Sequence, residues 1–246
     1  MSYTIVFGAT GGIGTRLCEI LTQQKKRILI AGRNEEKARQ LAQRLNQDYH
    51  IVDLSSSAAV QASIGQIQAK YGNFDNVVNC IGSLFLKPLE LTTDEEWKNV
   101  LTCNLTYAFY ILKAACPILA HQKKGSIVLL ASAAAQIGLV NHEAIGAAKA
   151  GLVGLMRCAA ASYASSGVRI NVIAPGLVQT PLTQSITTNE ASLKSSISMH
   201  PLGRIGAPDD IAHTIAWLVD EHSSWITGQV ITVDGGLSSL KIRSKT

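Results

Sequence analysis

Charge and aromatic rings are scarce in this chain. Charged residues are 16% and aromatics 5% of 246 residues, against 47% hydrophobic residues. So little charge argues against a disordered, solvating chain. So few aromatics, none interleaved with the basic clusters, argue against a nucleic-acid surface. The net charge of +5 comes from scattered cations, the tightest groups being Lys25-Lys26-Arg27, Lys123-Lys124 and the tail Lys241/Arg243/Lys245. These read as solvated loops plus a phosphate-bearing ligand. The five cysteines (18, 80, 103, 116, 158) form no CxxC pair and no metal-ligand spacing, so no metal is assigned. Cys80, Cys103 and Cys158 lie in apolar runs and read as buried thiols in a reducing compartment. No signal peptide is read, because a glycine motif opens at Gly8, and no apolar run is expected to cross a membrane. The cytoplasm is the expected location. Repeats, low-complexity segments and linkers are also missing, and the length suits one domain over residues 1–246.

What is present is a rhythm. Apolar, β-branched runs at 3–8, 27–31, 49–53, 74–80, 125–131, 168–174 and 229–233 alternate with helical patterns at 12–24, 35–46, 56–71, 93–121, 143–165 and 208–220. Strand–helix alternation predicts an α/β fold: a doubly wound parallel sheet of about seven strands with helices on both faces. Residues 181–207 break the rhythm. They are rich in Ser, Thr and Asn, and follow a strand's carboxyl end, where a substrate lid is expected. Thr183, Gln184, Ser185 and His200 in that segment imply a substrate that is not wholly apolar.

The first strand runs into Gly8-Ala9-Thr10-Gly11-Gly12-Ile13-Gly14 and then a helix. Glycines here let the backbone approach a pyrophosphate, whose charge meets the helix N-terminus. The second strand ends Ile30-Ala31-Gly32-Arg33-Asn34, with no acidic residue to meet a free ribose 2′-hydroxyl. Arg33 instead offers a cation fork for a 2′-phosphate, which predicts NADP(H) over NAD(H); Arg16 is a second candidate cation.

Ser132 to Lys149 reads SAAAQIGLVNHEAIGAAK, followed by AGLVGL. Asn79-Cys80-Ile81-Gly82 follows the fourth strand, Pro175-Gly176 through Val178 and Thr180 follows the sixth, and Gly228-Gln229 and Val233-Asp234-Gly235-Gly236 lie near the end. With the Gly8-x3-Gly12-x-Gly14 spacing, nearly the whole chain resembles the short-chain dehydrogenase/reductase family, in its oxoacyl-carrier-protein-reductase-like branch. The resemblance implies a Rossmann-type fold and hydride transfer between nicotinamide C4 and a carbonyl or alcohol carbon. It implies that Asp53-Leu54 hold the adenine. It gives Asn79 to Gly82 a bracing role beside the adenosine ribose, although two of the four positions depart from the family's Asn-Asn-Ala-Gly. Pro175, Gly176, Val178 and Thr180 would orient the carboxamide. Asn104 would support a water relay, Ser132 would hydrogen-bond the carbonyl oxygen, and Lys149 would hold the nicotinamide ribose. The resemblance also implies a homotetramer or homodimer, through the helices at 93–121 and 143–165 and through the C-terminal strand and tail.

One position departs where departure matters. The family carries Tyr thirteen residues after the Ser and four before the Lys, and here that place holds Ile145. No other tyrosine (3, 49, 71, 107, 110, 163) has Lys four residues on. His142, three residues before Ile145, is a candidate acid, since imidazole titrates near neutrality. Glu143 reads as a first-turn carboxylate with Asn141 as cap, and Ile145 as an apolar wall toward substrate. Three readings stay open: an NADP(H)-dependent oxidoreductase with a non-standard proton donor; a non-redox enzyme (cyclase, isomerase or dehydratase) on the same fold; and a non-catalytic NADP(H)-binding subunit.

Overall fold

The computed structural model describes residues 2–241. Seven strands, β1 (Tyr3–Phe7), β2 (Arg27–Gly32), β3 (Asp48–Ile51), β4 (Phe74–Asn79), β5 (Gly125–Leu130), β6 (Val168–Pro175) and β7 (Val230–Val233), form one sheet in the order β3-β2-β1-β4-β5-β6-β7. Every pairing is parallel. The alternation in sequence translates directly into two cores. Ile5, Phe7, Leu29, Ile127, Leu129 and Val172 face one side, packed by α3 (Ser57–Tyr71), α5 (Tyr107–His121) and α6 (Glu143–Tyr163). Val6, Ile28, Ile30, Val128 and Ile173 face the other, packed by α1 (Gly12–Gln23), α2 (Glu35–Leu45) and α9 (Pro208–Val219). Successive side chains of a strand point to opposite faces, so a strand covered on both sides must be apolar throughout.

The strand order reverses between β1 and β4. The chain leaves β1 toward β2 and β3, returns, and continues outward from β4. At such a switch point the connections at the strands' carboxyl ends diverge and leave a crevice.

Two elements differ from expectation. The long helix at 93–121 is α4 (Asp94–Leu101) joined to α5 by a π-helical turn at Thr102–Thr106. The 181–207 segment, where the sequence pattern predicts no helix, holds a turn of 3-10 helix, a short α7 (Gln184–Thr187) and α8 (Glu190–Met199), whose start is capped by the Asn189 side chain accepting from the Ser192 N–H. Three smaller expectations are corrected. Cys158 is exposed, because it falls on the outer side of α6. Stretches 94–121 and 143–166 are in fact long and apolar enough to cross a membrane by composition. Their apolar content is explained by the faces of α5 and α6 that pack on the sheet. At the start of α6 the capping position is held by His142, not Asn141, which precedes it in the left-handed region at φ +63°.

Candidate functional site

The glycine turn after β1 is dictated by contacts a side chain would violate. Gly8 has φ +71°, and a Cβ there would lie 2.9 Å from the Cys80 carbonyl carbon. A Cβ at Gly14 would sit 2.4 Å from the Gly8 oxygen, and one at Gly12 would meet the Thr180 side chain at 2.9 Å. Thr180, from the segment after β6, is thereby laid against the turn after β1. Thr10 lines the adjoining cleft, about 490 Å³, with Gly8, Arg33, Leu54 and Gly82. Ile13 packs against the core beneath.

Arg33 projects into this cleft and makes no ion pair or side-chain hydrogen bond among the described residues. Arg16 is committed elsewhere, to Glu19 and Asp209. Lys37, which the sequence reading missed, lines the same cleft and is equally unpaired. Its signal was its place in the first turn of α2, four residues after Arg33. Asp53 is exposed. Its carboxylate accepts from the Ser55 N–H at 2.8 Å, which holds it below the usual carboxylate range. Asn79 is buried and its side-chain oxygen accepts from the Ile81 N–H, so its part is to shape the turn.

The reactive end is assembled from four segments. Lys149, 6% exposed, points from α6 to the carboxyl end of β5, where its Nζ donates to the Leu130 oxygen at 2.7 Å. Burial pulls its ammonium down to about 8, partly opposed by Cys103 and Cys80. Asn104 is buried in the π-helical turn, which rotates it inward toward the same place. Gly82 is the gap between the two: a Cβ there would meet Asn104 Oδ1 at 3.2 Å and Lys149 Nζ at 3.4 Å. Ser132 follows β5 and its Oγ accepts from the Ala134 N–H at 3.2 Å. The hydroxyl hydrogen is thus left to donate, as polarising a carbonyl requires. Ser83, also missed, bonds Asn104 through both backbone and side chain. It lay outside every motif.

His142 stands apart from this cluster, two helical turns before Lys149. Its Nδ1 lies 2.7 Å from the Val140 oxygen. A carbonyl only accepts, so Nδ1 carries the hydrogen and Nε2 is the free atom. Ile145 is 4% exposed and packs with Val100, Ala144 and Ala148 beneath Phe85 and Leu101. It is a buried member of an apolar cluster, which corrects the expectation of an open wall.

The segment after β6 is held by His200. Its Nε2 accepts from the Leu177 N–H at 3.2 Å, and its Nδ1 donates to the Ser196 oxygen at 2.7 Å. His200 is therefore a buried brace and not a substrate-facing lid residue. Gly176 makes the approach possible, since a Cβ there would be 2.6 Å from Nε2. Pro175 ends β6, and Val178 is buried and bridges to Gly206. Thr183 is spent on the Val178 oxygen and on Thr180. A cavity of about 970 Å³ opens at the other end of the sheet. Its Lys26 and Lys124 are paired with Asp220, Asp75 and Glu221.

Residues 8–238 match the family model described as enoyl-(acyl carrier protein) reductase. The chain is 32% identical over 241 residues to the 3-oxoacyl-(acyl-carrier-protein) reductase FabG of Chlamydia muridarum, covering 95% of this chain and 96% of that one. It superposes on a short-chain type dehydrogenase/reductase from Mycobacterium ulcerans with a TM-score of 0.92 at 29% identity, over 96% of this chain and 90% of that one. A gluconate 5-dehydrogenase from Burkholderia cenocepacia, solved with NADP and tartrate, superposes with a TM-score of 0.94 at 27% identity, over 98% and 96%.

Proposed function

The chain belongs to the short-chain dehydrogenase/reductase family, and from that premise we propose that it is an NADP(H)-dependent reductase of a carbonyl substrate whose proton donor is not the usual tyrosine. The observation that carries the reading is the survival of the reacting cluster: Asn104 and Lys149 meet across Gly82, beside a Ser132 whose hydroxyl hydrogen is free. The residues fit a dinucleotide. The turn at Gly8, Gly12 and Gly14 has no room for side chains, and the Arg33 and Lys37 side chains are cations with no partner among the described residues in the adjoining cleft.

When bound, NADPH supplies the hydride. Arg33 would pair with a 2′-phosphate, and Asp53 and Leu54 would hold the adenine end. Thr180 and the backbone from Pro175 through Val178 would border the nicotinamide end. Lys149 presents a desolvated positive charge to ribose hydroxyls. Ser132 donates to the substrate carbonyl oxygen, which draws charge onto that oxygen as the carbon is attacked. Asn104 would anchor a water path, and His142, which stands apart from the cluster, would feed that path the proton that tyrosine gives elsewhere only with a second proton taken up at Nε2. The segment 181–207 closes over the substrate. The protein works in the cytoplasm as a homotetramer or homodimer.

Mixing the protein with NADPH and a panel of activated ketones tests this. NADPH oxidation matched by alcohol formation supports it. Tight NADPH binding with no oxidation on any ketone or quinone fails it. The burial of Ile145 among Phe85 and Leu101 favours a second reading, in which NADP(H) is held by a non-redox enzyme or a non-catalytic subunit. That reading gains if NADPH binds but is never consumed.

A further inference from the structure

The Asn104 amide is held from three directions. Its Oδ1 accepts from the Ser83 N–H at 3.1 Å, and its Nδ2 donates to Ser83 Oγ at 2.8 Å and to the Val100 oxygen at 3.0 Å. A backbone N–H can only donate and a carbonyl can only accept, so the orientation is determined by chemistry. Both amide hydrogens are used. Oδ1 keeps a second lone pair, and it lies on the side of Gly82 where Lys149 Nζ also lies, each within 3.4 Å of the point a Gly82 Cβ would occupy.

We propose that Ser83 is a positioning residue for the reaction. Its N–H and hydroxyl clamp the Asn104 amide so that the carbonyl dipole, and not the amide hydrogens, faces the Lys149 ammonium. This deepens the reductase reading and rests on it for its catalytic meaning, but not for its test. Ser83 follows Gly82 directly in the connection after β4, while Asn104 comes from the π-helical turn and Lys149 from α6. The clamp therefore ties three segments at the point where they converge.

Why would the hydroxyl matter when the backbone N–H already meets Oδ1? Asn104 is 2% exposed. Without Ser83 Oγ, one buried amide hydrogen has no acceptor, and the amide gains by rotating to find one. Rotation moves Oδ1 off Lys149 and brings amide hydrogens toward a cation. Among the described residues, no carboxylate acts on Lys149. The titratable groups that face it are Cys80, at the end of β4, and Cys103, in the π-helical turn, while β5 offers the neutral Leu130 carbonyl. A turned amide dipole is therefore uncompensated and disfavours the ammonium.

The test uses NADPH binding to the intact protein, followed by cofactor fluorescence between about pH 6 and pH 10, a range that spans Lys149's titration. In the parent, affinity falls as Lys149 loses its proton. Ser83→Ala is expected to move the midpoint of that fall to lower pH by about half a unit or more, and Ser83→Thr, which keeps the hydroxyl, to restore it. An alanine variant that folds and binds NADPH more weakly at every pH with an unmoved midpoint would overturn the proposal, because that is the signature of packing alone. A threonine variant whose midpoint follows alanine's would also overturn it. Should Ser83→Ala not fold, Ser83→Cys, which keeps the volume and offers a poor acceptor, gives the same comparison. None of these readouts requires turnover, so a protein that never oxidises NADPH would sink the reductase reading while leaving the clamp tested.

Discussion

Ile145 has two consequences that pull in opposite directions. The missing phenol removes a general acid, a loss of about 10²–10⁴ in rate. The isoleucine also fills a cluster with Val100, Ala148, Phe85 and Leu101, so the position is now part of a small core. Ile145→Tyr is accordingly expected to raise NADPH-dependent reduction of activated ketones by about tenfold or more while lowering unfolding stability by about 1–3 kcal/mol through overpacking. Steady-state rates and denaturant melts read the two effects separately. A stable variant with no rate gain, together with unchanged native turnover in His142→Ala, would remove His142 and the vacancy at 145 from the account of proton delivery. Arg33 gives the firmest residue-level expectation. NADPH should bind about tenfold or more tighter than NADH, about 1.4 kcal/mol, and Arg33→Ala should erase most of that preference; equal titrations in the parent would refute it. Lys149 carries a cost of its own. Its folded-state value, about 8, lies below the ordinary lysine value, so between the two the unfolded chain binds the extra proton. Stability therefore rises as pH climbs through that window, and the burial penalty is fully present below about 8. Lys149→Met should stabilise the apoprotein at pH 7 by up to roughly 3 kcal/mol while weakening NADPH binding, and a destabilised methionine variant would contradict this.

At the scale of elements, what could be read from sequence was what is local. The seven strands and the glycine turn were legible because period-two apolarity and a Gly-x3-Gly-x-Gly spacing act within a few residues. Arg33 was legible for the same reason, since one strand end decides it. Lys37 needed the first turn of α2 to fold back over the cleft. Ser83 needed the π-helical turn, which no periodicity announces, because one extra residue per turn leaves the apolar pattern of the flanking helices intact. His200 was misread because a polar residue in a Ser/Thr-rich segment looks exposed. Its burial depends on Gly176, twenty-four residues earlier, leaving space for the ring. That brace predicts the behaviour of the proposed lid. His200→Ala leaves the Leu177 N–H without its acceptor, a loss of about 1–3 kcal/mol. Cleavage within 184–199 in limited proteolysis should quicken, with a larger rise in substrate KM than fall in kcat. Unchanged cleavage would mean that α7 and α8 are held by something other than this histidine.

For the whole molecule, several large apolar side chains stand exposed on the described surface. Phe109 on α5 is 43% exposed, Trp217 on α9 46% and Trp225 99%. Trp225 lies in the loop before β7, at the cavity of about 970 Å³, and β7 ends the sheet with an edge that no strand among the described residues pairs. An open edge strand invites pairing with a copy of itself, and a twofold axis closes such a contact without leaving further edges. Phe109 and the small residues on the outer side of α6 offer a second such face. The part of the interface first expected from the Arg243/Lys245 tail lies outside the described residues. Two perpendicular twofold contacts generate a tetramer of four 26.2 kDa chains. Light scattering at micromolar concentration is expected to report that mass, or a dimer if only one face is used. Trp225→Asp should then halve the mass of a tetramer by removing the β7-side contact, while Phe109→Asp should halve it through the other face. A parent protein that scatters as a single chain would refute the assembly and leave the exposed tryptophans without this explanation.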